Sequence, residues 1–276
     1  MRIPVDQHSH TLHSHAKDTV ADMVASAFDK GLEVFGFSEH SPRPKAYNYP
    51  NDYRDKLAAS FPDYILEVLA EKERYKGRME VLLGLEMDYI PNEEAFVREA
   101  AHAYPYEYII GSVHFQGLWG FDYAAADWEP LSEATRGDMF IRYYRDQKRM
   151  AETGLFQIAG HPDLIKLFCK PSFDRWLQTS GAQNIVRETL AAFKANNMGM
   201  EVSSAAIRKG LGEPYPGPVI MRIARELDLP IVLGSDTHAV ADVAFGLDEL
   251  AAYAQEFGYT QSVFFSNKTM HTKLFA

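Results

Sequence analysis

Short apolar runs recur along the chain, and each is followed by a longer stretch whose apolar positions fall at helical spacing. The short runs predict strands over residues 3–7, 34–38, 80–85, 108–113, 156–160, 199–202 and 230–235. The amphipathic stretches predict helices over 19–30, 61–75, 93–103, 132–153, 182–197, 218–228 and 240–257. Seven strand-then-helix units predict a parallel α/β fold. A near-barrel is the preferred form, because polar residues recur just after the strands, where barrel enzymes carry their chemistry. Residues 262–265 offer a short final strand. Two long connections, 41–55 and 170–181, interrupt the alternation, and loops of that length in a compact fold often cover an active site. No internal repeat or low-complexity linker divides the chain, so one domain over residues 1–276 is expected.

Composition narrows the function class. With 276 residues, 46% hydrophobic and 24% charged, the chain can bury a large core without covalent staples. Its single cysteine, Cys169, excludes an internal disulfide framework and a Cys-rich zinc site. A net charge of −10 and a pI near 5.5 argue against a broad nucleic-acid-binding face. The opening Met1-Arg2-Ile3-Pro4-Val5-Asp6 has no apolar leader, and no apolar run of membrane-spanning length occurs. A cytoplasmic enzyme is expected. The oligomeric state is not written in the sequence.

The candidate chemistry lies at the strand ends. The chain has ten histidines, and four of them, His8, His10, His13 and His15, fall within eight residues after the first strand. Residues two apart in extended chain point the same way, so His8 and His10 can grip one ion. Imidazole suits zinc, iron and manganese. Phe37-Ser38-Glu39-His40, Gly84-Leu85-Glu86-Met87-Asp88, Gly111-Ser112-Val113-His114 and Ala159-Gly160-His161-Pro162-Asp163 close the next four strands. Glu201-Val202-Ser203-Ser204 and Gly234-Ser235-Asp236-Thr237-His238 close the last two. Histidines and carboxylates recurring on one face are hard to explain as packing, and Glu86 or Asp236 can bridge two cations. Such a site activates a bridging water and holds a leaving oxygen.

These residues resemble the PHP family (polymerase and histidinol phosphatase), and most closely its histidinol-phosphatase branch. The resemblance runs from Asp6-Gln7-His8-Ser9-His10 to Ser235-Asp236-Thr237-His238. It includes Ser112-Val113-His114-Phe115, Gly160-His161-Pro162-Asp163-Leu164-Ile165-Lys166, and Ile207-Arg208-Lys209 followed by Glu213-Pro214-Tyr215-Pro216. It implies a distorted seven-stranded (β/α) barrel with a trinuclear centre at the C-terminal ends of the strands. By motif, His8, His10, Glu86 and Asp236 would hold the first metal. Glu86 would bridge to a second, held also by His114 and His161, and His15, His40 and His238 would hold the third. The ions would be zinc, iron or manganese. One departure is Ser203-Ser204-Ala205, where related sequences often carry an Asn-bearing stretch; it touches substrate contacts and no metal ligand.

The implied activity is hydrolysis of L-histidinol phosphate, a late step of histidine biosynthesis, by a metal-bridging hydroxide. Glu86, Asp236 and His238 are the candidate catalytic residues. A general or nucleotide phosphoesterase of the same family and a non-catalytic metal-stabilised module are the alternatives. Arg208 is the leading candidate for the substrate phosphate, because a guanidinium can hold two phosphate oxygens, with Lys209 and Arg43 behind it. Phe115, Trp119, Phe121 and Tyr215 are candidate walls for an aromatic or cationic end, and Glu213 and Asp122 candidate anions for it. His13 reads as a solvated loop histidine, His102 and His271 as structural or exposed, and Cys169 as a packed small residue.

Overall fold

The computed structural model describes residues 3–49 and 53–275. Part of the 41–55 connection and the first two residues of the opening segment lie outside the described residues. In chain order, β1 (Val5–Asp6) leads to α1 (Val20–Asp29), β2 (Val34–Phe37) to α2 (Tyr53–Arg74), and β3 (Glu80–Asp88) to α3 (Glu94–His102). β4 (Tyr108–Ser112) is followed by a small hairpin, β5 (Phe115–Gln116) with β6 (Trp119–Gly120), and by α4 (Glu133–Glu152). β7 (Ile158–Ala159) precedes α5 (Lys170–Leu177) and α6 (Ser180–Ala195). β8 (Gly199–Ser203) precedes α7 (Ala205–Arg208) and α8 (Pro218–Glu226), and β9 (Ile231–Gly234) precedes α9 (Leu247–Glu256). A second hairpin follows, β10 (Gln261–Ser266) with β11 (Thr269–Leu274). Among the described residues no helix is long and apolar enough to cross a membrane.

Seven strands form one parallel sheet in the order β1-β2-β3-β4-β7-β8-β9, so every barrel strand pairs with the next in sequence. The sheet curls into a nearly closed barrel. Its seam is sealed just beyond β1 and β9. Thr237 N–H donates to the His8 carbonyl at 3.1 Å, and His10 N–H donates to the Thr237 carbonyl at 2.9 Å. Buried Asp6 ties the same seam, accepting from the Ser235 amide at 3.1 Å and the Ser235 hydroxyl at 2.6 Å. The outer face of the strands is almost wholly apolar, with Phe35, Phe37, Leu83, Leu85, Met87 and Ile109 packed against the helices.

The interior is filled by Val5, Val34, Leu82, Tyr108, Ile110, Ile158 and Val232. Tyr108 is the largest, and glycine in two neighbouring strands makes room for its ring. A Cβ at Gly36 would lie 2.3 Å from the Tyr108 hydroxyl, and one at Gly84 2.3 Å from its Cζ. The hydroxyl reaches the carbonyls of Gln7 at 2.7 Å and Phe37 at 2.9 Å. Below Tyr108 the β10–β11 hairpin caps the barrel with Val263 and Phe265. The Gln7 side chain clasps it, donating to the Phe265 carbonyl at 2.6 Å and accepting from its amide at 2.8 Å. The expected final strand is thus part of an antiparallel plug and does not extend the barrel.

Three other expectations need correction. Residues 170–181 are no open loop. Pro171 sits in the first turn of α5, where its missing N–H costs nothing. Phe173 and Leu177, one turn apart, are buried, and the Phe173 ring packs 5.3 Å from Phe140. Helix α2 begins two turns before residue 61, because Tyr53, Leu57 and Phe61 continue its buried stripe at four-residue spacing. Pro62 lies inside the helix on its exposed side. Finally, α9 begins at Leu247 rather than at residue 240, because Gly246 adopts φ 70° and breaks the preceding 3₁₀ turn, Val240–Asp242, from the helix.

Replacing Gly84 by alanine forces its Cβ against Tyr108 and the Phe37 carbonyl, both under 3 Å away. Gly84→Ala is expected to lower unfolding stability by ~1–3 kcal/mol, as overpacked cores do. A urea titration checks it, and a wild-type midpoint would mean that Tyr108 can move aside.

Candidate metal centre

All seven strands point their C-terminal ends toward one cleft, and the polar residues that follow them converge there. The pairing with β3 resumes beyond the end of β2: Glu86 N–H donates to the Glu39 carbonyl at 2.9 Å, and Ser41 N–H donates to the Glu86 carbonyl at 2.8 Å. That pairing sets His40 beside Glu86. The barrel seam sets His8 and His10 beside Asp236 in the same way. The positions of these side chains therefore follow from backbone hydrogen bonds made by the same residues and their immediate neighbours.

Glu86 occupies the middle and is 1% exposed. Its Oε1 lies 2.8 Å from His161 Nε2 and 3.6 Å from His114 Nε2, and accepts from the Ser112 hydroxyl at 2.7 Å. Its Oε2 lies 2.9 Å from His40 Nδ1, 3.5 Å from His10 Nε2 and 3.6 Å from His8 Nε2. Asp236 Oδ1 lies 3.3 Å from His10 Nε2 and 3.6 Å from both His8 Nε2 and His238 Nδ1. His15 joins at the rim, its ring 4.4 Å from His238 and 5.2 Å from His40. The nine residues expected as ligands thus occupy one cleft. Among the described residues three groups have ligand atoms within 4.8 Å of one another: His8, His10 and Asp236; His8, Glu86 and His161; His10, His40 and His238.

The donor set fits divalent cations. His8 Nε2, His10 Nε2 and His238 Nε2 are buried nitrogens without a hydrogen-bond partner, although buried polar atoms are ordinarily satisfied. Five other ring nitrogens of the site are tied down. His8 Nδ1 meets Glu201 at 2.6 Å, His10 Nδ1 meets Glu39 at 3.3 Å, and His114 Nδ1 meets Asp88 at 2.7 Å. His238 Nδ1 donates to the Asp236 carbonyl at 2.9 Å, and His15 Nδ1 meets the Tyr53 hydroxyl at 3.2 Å. A carboxylate on one imidazole nitrogen fixes the tautomer and raises the basicity of the other. Glu201, Glu39 and Asp88 are the site residues that motif reading misses in this role. Their signal was present, since each stands at a strand end beside the ligands.

Two of the expected ligands adopt backbone conformations rare outside glycine, His161 at φ 23° and Asp236 at φ 50°. Each has a clamp. The His161 amide donates to Glu201 Oε2 at 2.7 Å, so Glu201 holds both His8 and His161. Arg208 holds the Asp236 turn, donating from one nitrogen to the carbonyls of Ser235 and Asp236, both at 2.6 Å, while its other terminal nitrogen lies 3.3 Å from Asp242.

Burial opposes ionisation of Glu86 and Asp236, and the surrounding histidines overcome it, holding both carboxyls well below their ordinary values. Burial, reinforced by His10, holds His40 and His238 well below the ordinary histidine value and His15 at about 4. Against burial, the neighbouring carboxylates push His8 and His10 up from the ordinary histidine value and His114 up to about 9, so a cation, which takes the neutral imidazole, would displace protons there.

The substrate candidates divide. Arg208 and Lys209 line the cleft, with Lys17, which sequence reading did not single out. Lys209 Nζ is 3.9 Å from Asp236 Oδ2. Arg43 is buried and paired with Asp88, its guanidinium over the rings of Tyr49, Tyr53 and Phe115. Phe115 is buried behind it. Tyr215 and Phe121 are buried, and Trp119 packs on Trp128 at 5.2 Å. Glu213 is taken by Lys166 at 2.8 Å. Ser204, in the stretch that departs from the family pattern, donates to the Phe245 carbonyl at 2.6 Å. His13 is buried, not solvated, and pairs with Glu67 at 3.1 Å, because α2 passes over it. His102 and His271 are exposed, and Cys169 is buried.

Comparison with known proteins agrees with this geometry. Residues 6–205 match the family model of the PHP domain. A relative from Deinococcus radiodurans named probable histidinol-phosphatase is 36% identical over 87% of this chain and 88% of its own. A solved structure described as the putative histidinol phosphatase of Listeria monocytogenes superposes with a TM-score of 0.78 at 24% identity, covering 89% of this chain and 99% of that one. A histidinol phosphate phosphatase from Lactococcus lactis, solved with zinc, L-histidinol and phosphate, superposes with a TM-score of 0.74 at 16% identity over 97% and 98% of the two chains. The likeness of these solved structures lies in the barrel, and the family match spans most of the strands that carry the cleft; the chain belongs to the PHP family.

Proposed function

We propose that this chain is a metal-dependent phosphomonoesterase that hydrolyses L-histidinol phosphate to L-histidinol and phosphate, a step of histidine biosynthesis. The observation that carries it is the set of partnerless imidazole nitrogens gathered around two buried anionic carboxylates. The name of the Deinococcus relative supports the substrate, and the zinc, L-histidinol and phosphate held by the Lactococcus protein support its chemistry.

Three divalent transition-metal ions, zinc, iron or manganese, suit the donor set. His8, His10, Glu86 and Asp236 would hold one, Glu86, His114 and His161 a second, and His15, His40 and His238 the third. When bound, these ions supply a water nucleophile at neutral pH and offset the charge on the phosphoryl oxygens. Glu86, Asp236 and His238 are assigned to the reaction itself, as the groups that hold the ions and orient the attacking water. Glu201, Glu39 and Asp88 fix the imidazoles. Lys17, Lys209 and Arg208 place positive charge at the cleft, where a dianionic phosphate enters. Arg208 does so with two of its donors already committed to the Asp236 turn, which makes Lys209 and Lys17 the freer partners.

Purified protein should carry two to three transition-metal equivalents, a ratio expected of a multinuclear site. Chelation should abolish turnover, and Glu86→Ala should lose both metal and activity. Full turnover by protein shown to be metal-free by elemental analysis would sink the proposal.

Glu201→Gln should weaken zinc binding by about tenfold to a hundredfold, as loss of a carboxylate behind a ligand does. Competition with a chromogenic chelator measures this without reference to activity. Wild-type affinity would mean that Glu201 does not orient His8.

L-histidinol phosphate should exceed p-nitrophenyl phosphate in kcat/KM by at least about a hundredfold, ~2.7 kcal/mol of extra transition-state binding. Comparable values for nucleotides or sugar phosphates would favour a general phosphoesterase.

A further inference from the structure

The metal cleft does not end at its histidines. It encloses about 300 Å³ and adjoins a second cavity of about 230 Å³. The two share His15, His40, His114 and Asp122 as a common wall. Beyond that wall the second cavity adds Arg43, Tyr49, Tyr53 and Tyr123. The Tyr49 ring stands 5.9 Å from Tyr53 and stacks at 5.8 Å on Tyr123. The second cavity is therefore an aromatic annex opening directly onto the metal ligands.

We infer that this annex is the specificity pocket of the enzyme, and that Asp122 is the anion in it that selects a substrate with a primary ammonium and a small aromatic ring. The inference rests on the proposed phosphatase reading and says what that reading leaves open, namely which residues take the end of the substrate remote from the phosphate.

Charge assigns the two ends. The cleft carries Lys17, Arg208 and Lys209 and would be more positive with metal bound, so it repels an ammonium and draws a phosphate. Among the described residues Arg43 is the one lysine or arginine lining the annex, and its charge is taken up within the wall. The guanidinium pairs with Asp88 and lies within 5.2–5.5 Å of the centroids of Tyr49, Tyr53 and Phe115. Asp122 is differently placed. The Tyr49 hydroxyl donates to its Oδ1 at 2.7 Å, which fixes the carboxylate at the junction of the two cavities. Its Oδ2 accepts no hydrogen bond from the described residues, and Asp122 belongs to none of the three ligand groups. A held carboxylate with a free oxygen, bordered by tyrosine faces, matches an ammonium beside an aromatic ring. The other sequence candidate, Glu213, is neutralised by Lys166 and Lys170.

The experiment compares three phosphate esters: L-histidinol phosphate, its analogue lacking the amino group, and p-nitrophenyl phosphate. Wild-type protein is measured first. If it shows no preference for L-histidinol phosphate, the substrate reading fails and the present inference falls with it. Given that preference, Asp122→Asn keeps an acceptor for Tyr49 and removes the charge. It should lower the kcat/KM ratio of L-histidinol phosphate to p-nitrophenyl phosphate by about tenfold to a hundredfold, chiefly through KM, the range of a lost charge-assisted hydrogen bond. The ratio of the amino-free analogue to p-nitrophenyl phosphate should move by no more than about twofold, because the partner of the charge is already gone. An undiminished ratio for L-histidinol phosphate, an equal loss on all three esters, or an equal fall with the amino-free analogue would each overturn the assignment of Asp122 while leaving the phosphatase reading intact.

Discussion

A carboxylate at the centre of a protein must be compensated, and the architecture around Glu86 is built to do so. An isolated buried charge costs several kcal/mol even after relaxation. Here five imidazoles and a serine hydroxyl surround one carboxylate that is 1% exposed. Those imidazoles come from strand ends spread around the barrel, so compensation is available only if the sheet curls and closes. The closure itself is made by residues of the cleft: the amide of His10 and the carbonyl of His8 bond to Thr237, one residue from Asp236. Fold and site are one network, and neither can be loosened alone.

Behind the histidines stands a shell of acids, which explains how the three-residue groups are held to shape. Glu201 binds the His8 ring with one oxygen and the His161 amide with the other, joining two expected ligands that are far apart in sequence. Asp88 faces His114 on one side and Arg43 on the other, so the aromatic floor of the annex is tied to a metal-facing ring. Shape at the centre and shape at the specificity end are thereby coupled through one buried ion pair.

Much of this was legible in the sequence, for a physical reason. A parallel barrel strand buried on both faces leaves an uninterrupted apolar run, and the first few residues after it, where polar side chains appear, mark where the sheet meets the cleft. His40, Glu86, His114, His161 and Asp236 are all found that way. What was not legible depended on long-range packing. The helix at 170–177 is short and begins Lys170-Pro171, so only its contacts with Phe140 and Tyr144 reveal it. The commitment of Arg208 to the Asp236 turn, and the burial of His13 beneath α2, are encounters between segments that no local pattern announces. Asp122 was legible as one of two candidate anions for the remote end of the substrate, but not the choice between it and Glu213, because its partner Tyr49 lies in a different connection.

The plug under the barrel has a kinetic consequence. Tyr108 spans the interior, and Val263 and Phe265 of the β10–β11 hairpin pack beneath it, so the floor of the active site is solid. Substrate entry and the departure of both products share the mouth at the other end. On the proposed assignment the alcohol would sit toward the annex and the phosphate toward the metal cleft, so each product would leave through space that the next substrate must reoccupy. Inorganic phosphate, held where the incoming ester must place its own phosphoryl group, would by this geometry compete with substrate for a single doorway.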